Sequence, residues 1–204
     1  EMEITNGTTT TDDNGEFKID FIAKADKSVN KKYSPTYAYT IYADVTDING
    51  ETHSSTTYAR VGYKALNINI GINDKLNKND VDTINFTTTN LNGEFEAATG
   101  NVKIWALKMP AKIYKKRYWS KGDIHLMNKN EFEKHFPMDE FEEENNVYKW
   151  EKNIKVYDHD FNTANKKSLR LFKLPEWNSG WYVMEAVTKD KFGQEVKEIK
   201  YFNV

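Results

Sequence analysis

The chain has 204 residues, suited to one large or two small domains, and its 29 Lys and Arg against 31 Asp and Glu leave a formal net charge of -2. That balance supplies no field for gathering nucleic acid or anionic lipid, which argues against a nucleic-acid partner. Cysteine is absent, so disulfides, thiolate nucleophiles and thiolate metal sites are excluded, and no run of about 18 apolar residues offers a membrane-spanning helix.

Taken in order, the first residues (Glu-Met-Glu-Ile-Thr) read as the interior of a strand, without signal-peptide character, as at the start of an excised fragment. Asp12, Asp13, Asn14 and Gly15, followed by Phe17, Ile19, Phe21 and Ala23 at period two, predict a turn that hands over to a strand. A polar, Lys-rich connection covers residues 24–34. Tyr37, Tyr39, Ile41, Ala43 and Val45 then alternate with Thr40, Tyr42, Asp44 and Thr46, the pattern of a strand with one buried face. Asn49 and Gly50 allow the positive φ values of a hairpin turn and Asp47 can bond its backbone, so the chain is expected to reverse and return to Tyr63. A similar pattern recurs over residues 182–194, read with one extra loop residue and with Gly193 in the role of Gly50. Two copies imply two units. Only about four strands precede Ala65, fewer than the roughly seven of a complete immunoglobulin-like sandwich, so residues 1–65 read as a partial one.

Leu66, Ile68, Ile70 and Ile72 open a new alternating strand, placing the boundary at about Ala65 with almost no linker. Further strands are expected over 84–89, 102–109, 147–157, 169–174, 181–188 and 196–204. Residues 181–187 are apolar on both faces apart from Glu185, so this strand is placed centrally in a sheet. Residues 110–146 interrupt the pattern as an insertion. Within it a basic aromatic run (112–119) precedes a short helix with Asn128 as N-cap, Phe132 and Phe136 on one face and Pro137 as the stop, and an acidic run (139–144) closes it. The expected fold is all-β: tandem immunoglobulin-like, macroglobulin-type β-sandwiches, residues 1–65 and 66–204, the second carrying the helical insertion.

Three stretches in this order, Asp-Asp-Asn-Gly-Glu-Phe from Asp12, Ala-Asp-Val-Thr-Asp-Ile-Asn-Gly-Glu-Thr from Ala43 and Val-Gly-Tyr-Lys-Ala-Leu from Val61, together with the insertion from Arg117-Tyr-Trp to Phe136-Pro137, resemble consecutive macroglobulin-type domains of bacterial alpha-2-macroglobulin-like proteins, especially those of the Bacteroidetes. The resemblance spans essentially the whole chain. It implies a non-catalytic structural part of an endopeptidase inhibitor of the periplasm or outer cell envelope, with neighbouring macroglobulin domains as partners and proteases as targets of the parent molecule. The family's thioester motif, Cys-Gly-Glu-Gln, cannot occur here without cysteine, and no family active residue maps onto this chain. The alternative is an adhesion or glycan-binding immunoglobulin-like module.

No catalytic residue, cofactor or metal site is assigned. Residues 12–16 and 44–51 gather oxygen ligands around a glycine, but the full calcium-loop pattern is absent and hairpin turns account for both. Glu131 and His135, four apart with His125 nearby, are the closest approach to a zinc set and lack a third evident ligand. Asp158, His159 and Asp160 resemble an acid-base cluster but read as a solvated turn. Of the five tryptophans, Trp105, Trp150 and Trp181 fall in expected strands and read as core. Trp119 and Trp177 fall in connections and are the two candidate partner contacts. The open sheet edges of an incomplete first unit are further expected to support a homodimer.

Overall fold

The computed structural model describes residues 3–80, 82–118, 120, 122, 124 and 126–204, and the chain divides into two units, Glu1–Ala65 and Leu66–Val204. The fold is all-β, with antiparallel sheets and one short α-helix among the described residues.

In the first unit β1 (Thr36–Thr46) and β2 (Thr52–Gly62) form a two-stranded antiparallel ribbon in unbroken register, Thr36 opposite Gly62 and Thr46 opposite Thr52. Alternation places Tyr37, Tyr39, Ile41 and Ala43 on one face, and these are half-buried while their neighbours are exposed. The strand expected around Phe17–Ala23 is not formed, so two strands stand where about four were expected. The segment just after it accepts side-chain hydrogen bonds on its backbone: the Tyr37 hydroxyl donates to the Asp26 carbonyl at 3.1 Å and the Tyr39 hydroxyl to the Lys24 carbonyl at 3.0 Å. The Phe21 and Tyr39 rings lie 5.4 Å apart. These contacts lie on the half-buried face of β1 that carries Tyr37 and Tyr39. No described residue of this unit is buried, and an isolated two-stranded ribbon is marginal in water.

The second unit contains β3 (Leu66–Gly71), β4 (Thr83–Asn90), β5 (Thr99–Leu107), α1 (Lys129–His135), β6 (Lys152–Asn162), β7 (Ser168–Arg170), β8 (Trp181–Lys189) and β9 (Glu195–Asn203). A three-stranded sheet, β3-β4-β7, and a four-stranded sheet, β6-β5-β8-β9, make an immunoglobulin-like sandwich. The inward rows supply one core: Leu66, Ile68 and Ile70 of β3, Ile84 and Phe86 of β4, Val102 and Ile104 of β5, and Tyr182, Met184 and Ala186 of β8. Phe86 and Phe161 stack across it with centroids 4.5 Å apart. The buried Thr88 and Thr163 hydroxyls share a hydrogen bond of 2.8 Å, and Thr163 Oγ1 also accepts from the Ala98 N–H at 2.9 Å, so these polar groups are paired inside the core. As its two-faced apolar sequence predicts, β8 is central, between β5 and β9.

Several strand limits differ from those expected: β5 begins three residues early, at Thr99, and β6 runs on to Asn162. Residues 147–149 form a 3-10 turn because Asn146 Oδ1 accepts from the Tyr148 N–H, delaying β6 to Lys152. Beyond Arg170 the chain leaves the sheet for a second such turn, Leu174–Glu176, with Pro175 near its start, so the strand expected over 169–174 shortens to three residues.

Four turns share one construction. Asp12, Asp47, Asn90 and Asp190 each use Oδ1 to accept from the backbone N–H two and four residues on, at 2.8–3.0 Å. The glycine at the fourth position, Gly15, Gly50, Gly93 or Gly193, has φ between 80° and 90°, a left-handed conformation that glycine adopts at least cost. The turns of the two organising hairpins, residues 47–51 and 190–194, are equal in length and bonding. The extra loop residue expected in the second is not there.

Candidate functional site

The insertion leaves the sandwich between β5 and β6, and the Lys108 N–H to Glu151 carbonyl bond of 2.9 Å closes its base. Its helix is as predicted: Asn128 Oδ1 accepts from the Glu131 N–H at 3.0 Å, and the Phe132 and Phe136 rings lie 5.2 Å apart. The basic and acidic arms run alongside each other. The Arg117 guanidinium donates to the carbonyls of Glu140 (2.5 Å) and Glu142 (3.3 Å), and the Lys115 N–H donates to the Met138 carbonyl at 2.7 Å. Lys112 pairs with Glu133 at 3.7 Å, Lys129 pairs with Glu144 at 3.7 Å, and Lys149 pairs with Glu143. These charges cross-link the insertion to itself. An open recess of about 610 Å³ lies at its base, lined in part by Met109, Tyr114, Lys129, Glu144, Lys149 and Trp150.

Beside this base is the outer face of the four-stranded sheet. The alternation that sends Val102 and Ile104 inward sends Lys103 and Trp105 outward, and β8 presents Trp181, Val183, Glu185 and Val187 on the same side. Val183 is 2% exposed although it faces away from the sandwich core, flanked in register by Trp105 and Tyr201. The 73%-exposed Tyr148 meets Tyr201 edge-on at 4.8 Å, bringing the turn that follows the insertion onto this face. The Lys152 ammonium sits 4.1 Å from the centre of the Trp105 ring and 2.8 Å from Glu185 Oε1, which Lys197 also reaches at 2.8 Å.

Glu185 has opposing influences. Burial alone would raise its pKa, but the hydrogen bonds and charges of Lys152 and Lys197 outweigh it and hold the carboxyl below its ordinary range. A carboxyl lowered in the folded state contributes stability that is fully present above the unfolded value, about pH 4.3, and is lost as pH falls through the folded value. Glu185→Gln is therefore expected to be less sensitive to acid over that interval. Parallel denaturant titrations of both proteins at neutral and acid pH check this, and equal acid sensitivity would refute it.

The candidate residues fare unequally. Trp119 and His125 lie outside the described residues. Trp177 is a core residue, 5% exposed and stacked on Tyr182 at 5.1 Å, so it is not available as a partner contact. The 3-10 turn before it folds the connection inward, which a reading of connections as surface does not anticipate. Conversely, Trp105 and Trp181 lie half-buried on the outer face, and Trp150 follows the 3-10 turn of residues 147–149 with Nε1 donating to the Glu144 carbonyl at 2.7 Å. None of these three joins the sandwich core.

Asp158, His159 and Asp160 belong to β6, not to a turn. Strand alternation separates them: both carboxylates accept from Asn101 Nδ2, at 3.0 and 2.8 Å, while His159 sits against Tyr157 at 4.5 Å. A hydrogen bond from Lys155, then one from Asn101, lowers the Asp158 pKa. The oxygen-rich turns direct Asp12 and Asp47 Oδ1 at their own backbone. Among the described residues no group of three or more His, Asp or Glu side chains is placed to hold a metal, and no helix is long and apolar enough to cross a membrane. Sequence reasoning missed the outer-face set of Trp105, Lys152, Glu185 and Lys197; its available signal was the parity of Trp105 against Val102 and Ile104.

No protein-family model matches this chain, and neither the curated proteins nor the solved structures searched yield a similar one.

Proposed function

We propose that the chain is a non-catalytic frame element built from serial β-sandwiches, of the kind that bacterial alpha-2-macroglobulin-like protease-trapping proteins of the cell envelope employ. One observation supports the reading above others: the same hairpin occurs twice, buried in one unit and bare in the other. Aligned on their matching turns, Tyr39, Ile41 and Ala43 correspond to Tyr182, Met184 and Ala186. The second set lies in the sandwich core, whereas the first is only half-buried on a two-stranded ribbon. A second correspondence runs from Thr9-Thr10-Thr11 through Asn14-Gly15-Glu16-Phe17 to Thr87-Thr88-Thr89 and Asn92-Gly93-Glu94-Phe95, around turns of identical bonding. A unit that repeats sandwich parts and keeps their apolar face suits a layered, serial β-structure.

The function is mechanical in this reading. β-units joined through the short stretch Tyr63, Lys64 and Ala65 form part of a frame. That frame passes on the rearrangement following protease cleavage of a bait segment, the stretch that such family members offer to attacking proteases, elsewhere in the parent molecule. The test is protease retention by a bait-bearing polypeptide that includes this chain. A flexible Gly/Ser insertion between Ala65 and Leu66 is expected to leave both units' circular dichroism unchanged and to reduce retention severalfold. Unchanged retention overturns the mechanical role.

A further inference from the structure

Four Asn-Gly pairs occur in the chain, at Asn6, Asn14, Asn49 and Asn92, and the fold treats one of them differently. The general chemistry of this dipeptide is intramolecular. The glycine nitrogen attacks Cγ of the preceding asparagine, its proton goes to solvent base, and the side-chain nitrogen leaves as ammonia. Water then opens the resulting succinimide at either carbonyl, giving aspartate or isoaspartate. The balance is one water in and one ammonia out, with no oxidant or cofactor.

The reaction needs a free glycine N–H and an asparagine able to swing Cγ over it. Three pairs lack both. The N–H groups of Gly15, Gly50 and Gly93 donate to the carbonyls of Asp12, Asp47 and Asn90 at 3.0, 3.1 and 3.1 Å. The backbone N–H of each preceding asparagine is held at 2.9 Å by Oδ1 of the same turn residue. Attack there first requires the turn to open, which lowers the rate by the fraction of time it is closed.

The pair Asn6-Gly7 has neither restraint. It lies outside every strand and helix and is exposed. Among the described residues nothing accepts from the Gly7 N–H, and nothing stands within 4 Å of the position a Gly7 Cβ would occupy. The polar contact of the Asn6 side chain is Nδ2 to Glu3 Oε1, at 2.5 Å, on the departing nitrogen and not on the attacked carbon.

We infer that Asn6 is a self-modifying site, converting to aspartate and isoaspartate while the three turn asparagines are protected by the bonds that build their turns. The modification adds one negative charge and, in the isoaspartate product, one extra backbone carbon just ahead of the Asp12 turn.

The experiment uses the full chain, held in mildly alkaline buffer and sampled over days, with tandem mass spectrometry of the tryptic peptides and isoaspartate labelling by a carboxyl methyltransferase. Asn6 and Asn14 share one tryptic peptide, ending at Lys18, so each measures the other's exposure to the same conditions. Asn6 is expected to convert at least about tenfold faster than Asn14, Asn49 or Asn92, the factor for a turn closed roughly nine-tenths of the time or more. Asp12→Ala removes the oxygen that organises the first turn and is expected to accelerate Asn14 severalfold without changing Asn6. Gly7→Ala is expected to slow Asn6 alone. Comparable rates at all four sites, or an Asn14 rate indifferent to Asp12→Ala, overturn the inference.

Discussion

Replacing Trp177 with alanine is expected to lower the stability of the Leu66–Val204 unit by about 3–5 kcal/mol, the range for emptying a buried aromatic site. Trp177 stacks on Tyr182 at 5.1 Å with planes 26° apart and lies 6.5 Å from Phe202, and Tyr182 and Phe202 are themselves 5.7 Å apart. The three rings form one end of the core, and Leu174, fully buried, sits on the same 3-10 turn. Alanine leaves a void that strand-borne neighbours cannot close, because Tyr182 and Phe202 are fixed opposite each other in the β8–β9 register. Denaturant unfolding of the whole chain, followed by the near-ultraviolet signal, reads the change. Trp105→Ala is the comparison, expected to cost less because its ring is half-buried under Lys152 on the outer face. A Trp177→Ala cost below about 1 kcal/mol, the scale of ordinary surface substitutions, would contradict the core position.

The second large effect is expected at Gly100, where β5 lies against both neighbours. A Cβ there would stand 2.3 Å from the Val187 carbonyl oxygen and 2.7 Å from Phe161 Cζ. The carbonyl is backbone of β8, and Phe161 is held by its stack on Phe86, so neither yields by a rotamer change. Gly100→Ala is expected to cost about 3 kcal/mol or more, at the upper end of overpacking penalties, by forcing β5 from β8. The double variant Gly100→Ala with Phe161→Leu separates the two clashes: removing the ring leaves the carbonyl in place, so most of the loss should remain. Full rescue would show that the ring alone demands glycine. Gly71→Ala, whose nearest contact would be 3.4 Å, provides a sterically mild control.

The outer face and the core illustrate one limit of period-two patterns. Residues 102–105 read Val-Lys-Ile-Trp, with an apolar residue available to both sides of β5, and β8 is apolar on both faces apart from Glu185. Alternation separates the two rows of each strand but does not say which row meets the other sheet. Trp105 and Trp181 accordingly fall on the rows that point away from the sandwich core, whereas Trp177, in a connection, enters it.

Local bonding was legible in the sequence alone. Asp47 with Gly50, Asn128 with Pro137 and the hairpin alternation of residues 37–45 each specify their structure through partners a few residues away, and the all-β class follows from repeating such signals. The tertiary structure decided what depends on distant partners. It left Phe17, Ile19 and Phe21 without a strand, and the Tyr37 and Tyr39 hydroxyls hold the segment that follows them by the Asp26 and Lys24 carbonyls. It divided Asp158 and Asp160 from His159 by the alternation of β6, and it interlocked the insertion's arms through Arg117 and backbone carbonyls. A turn is closed by its own atoms, whereas a core position exists only when another sheet arrives to cover it.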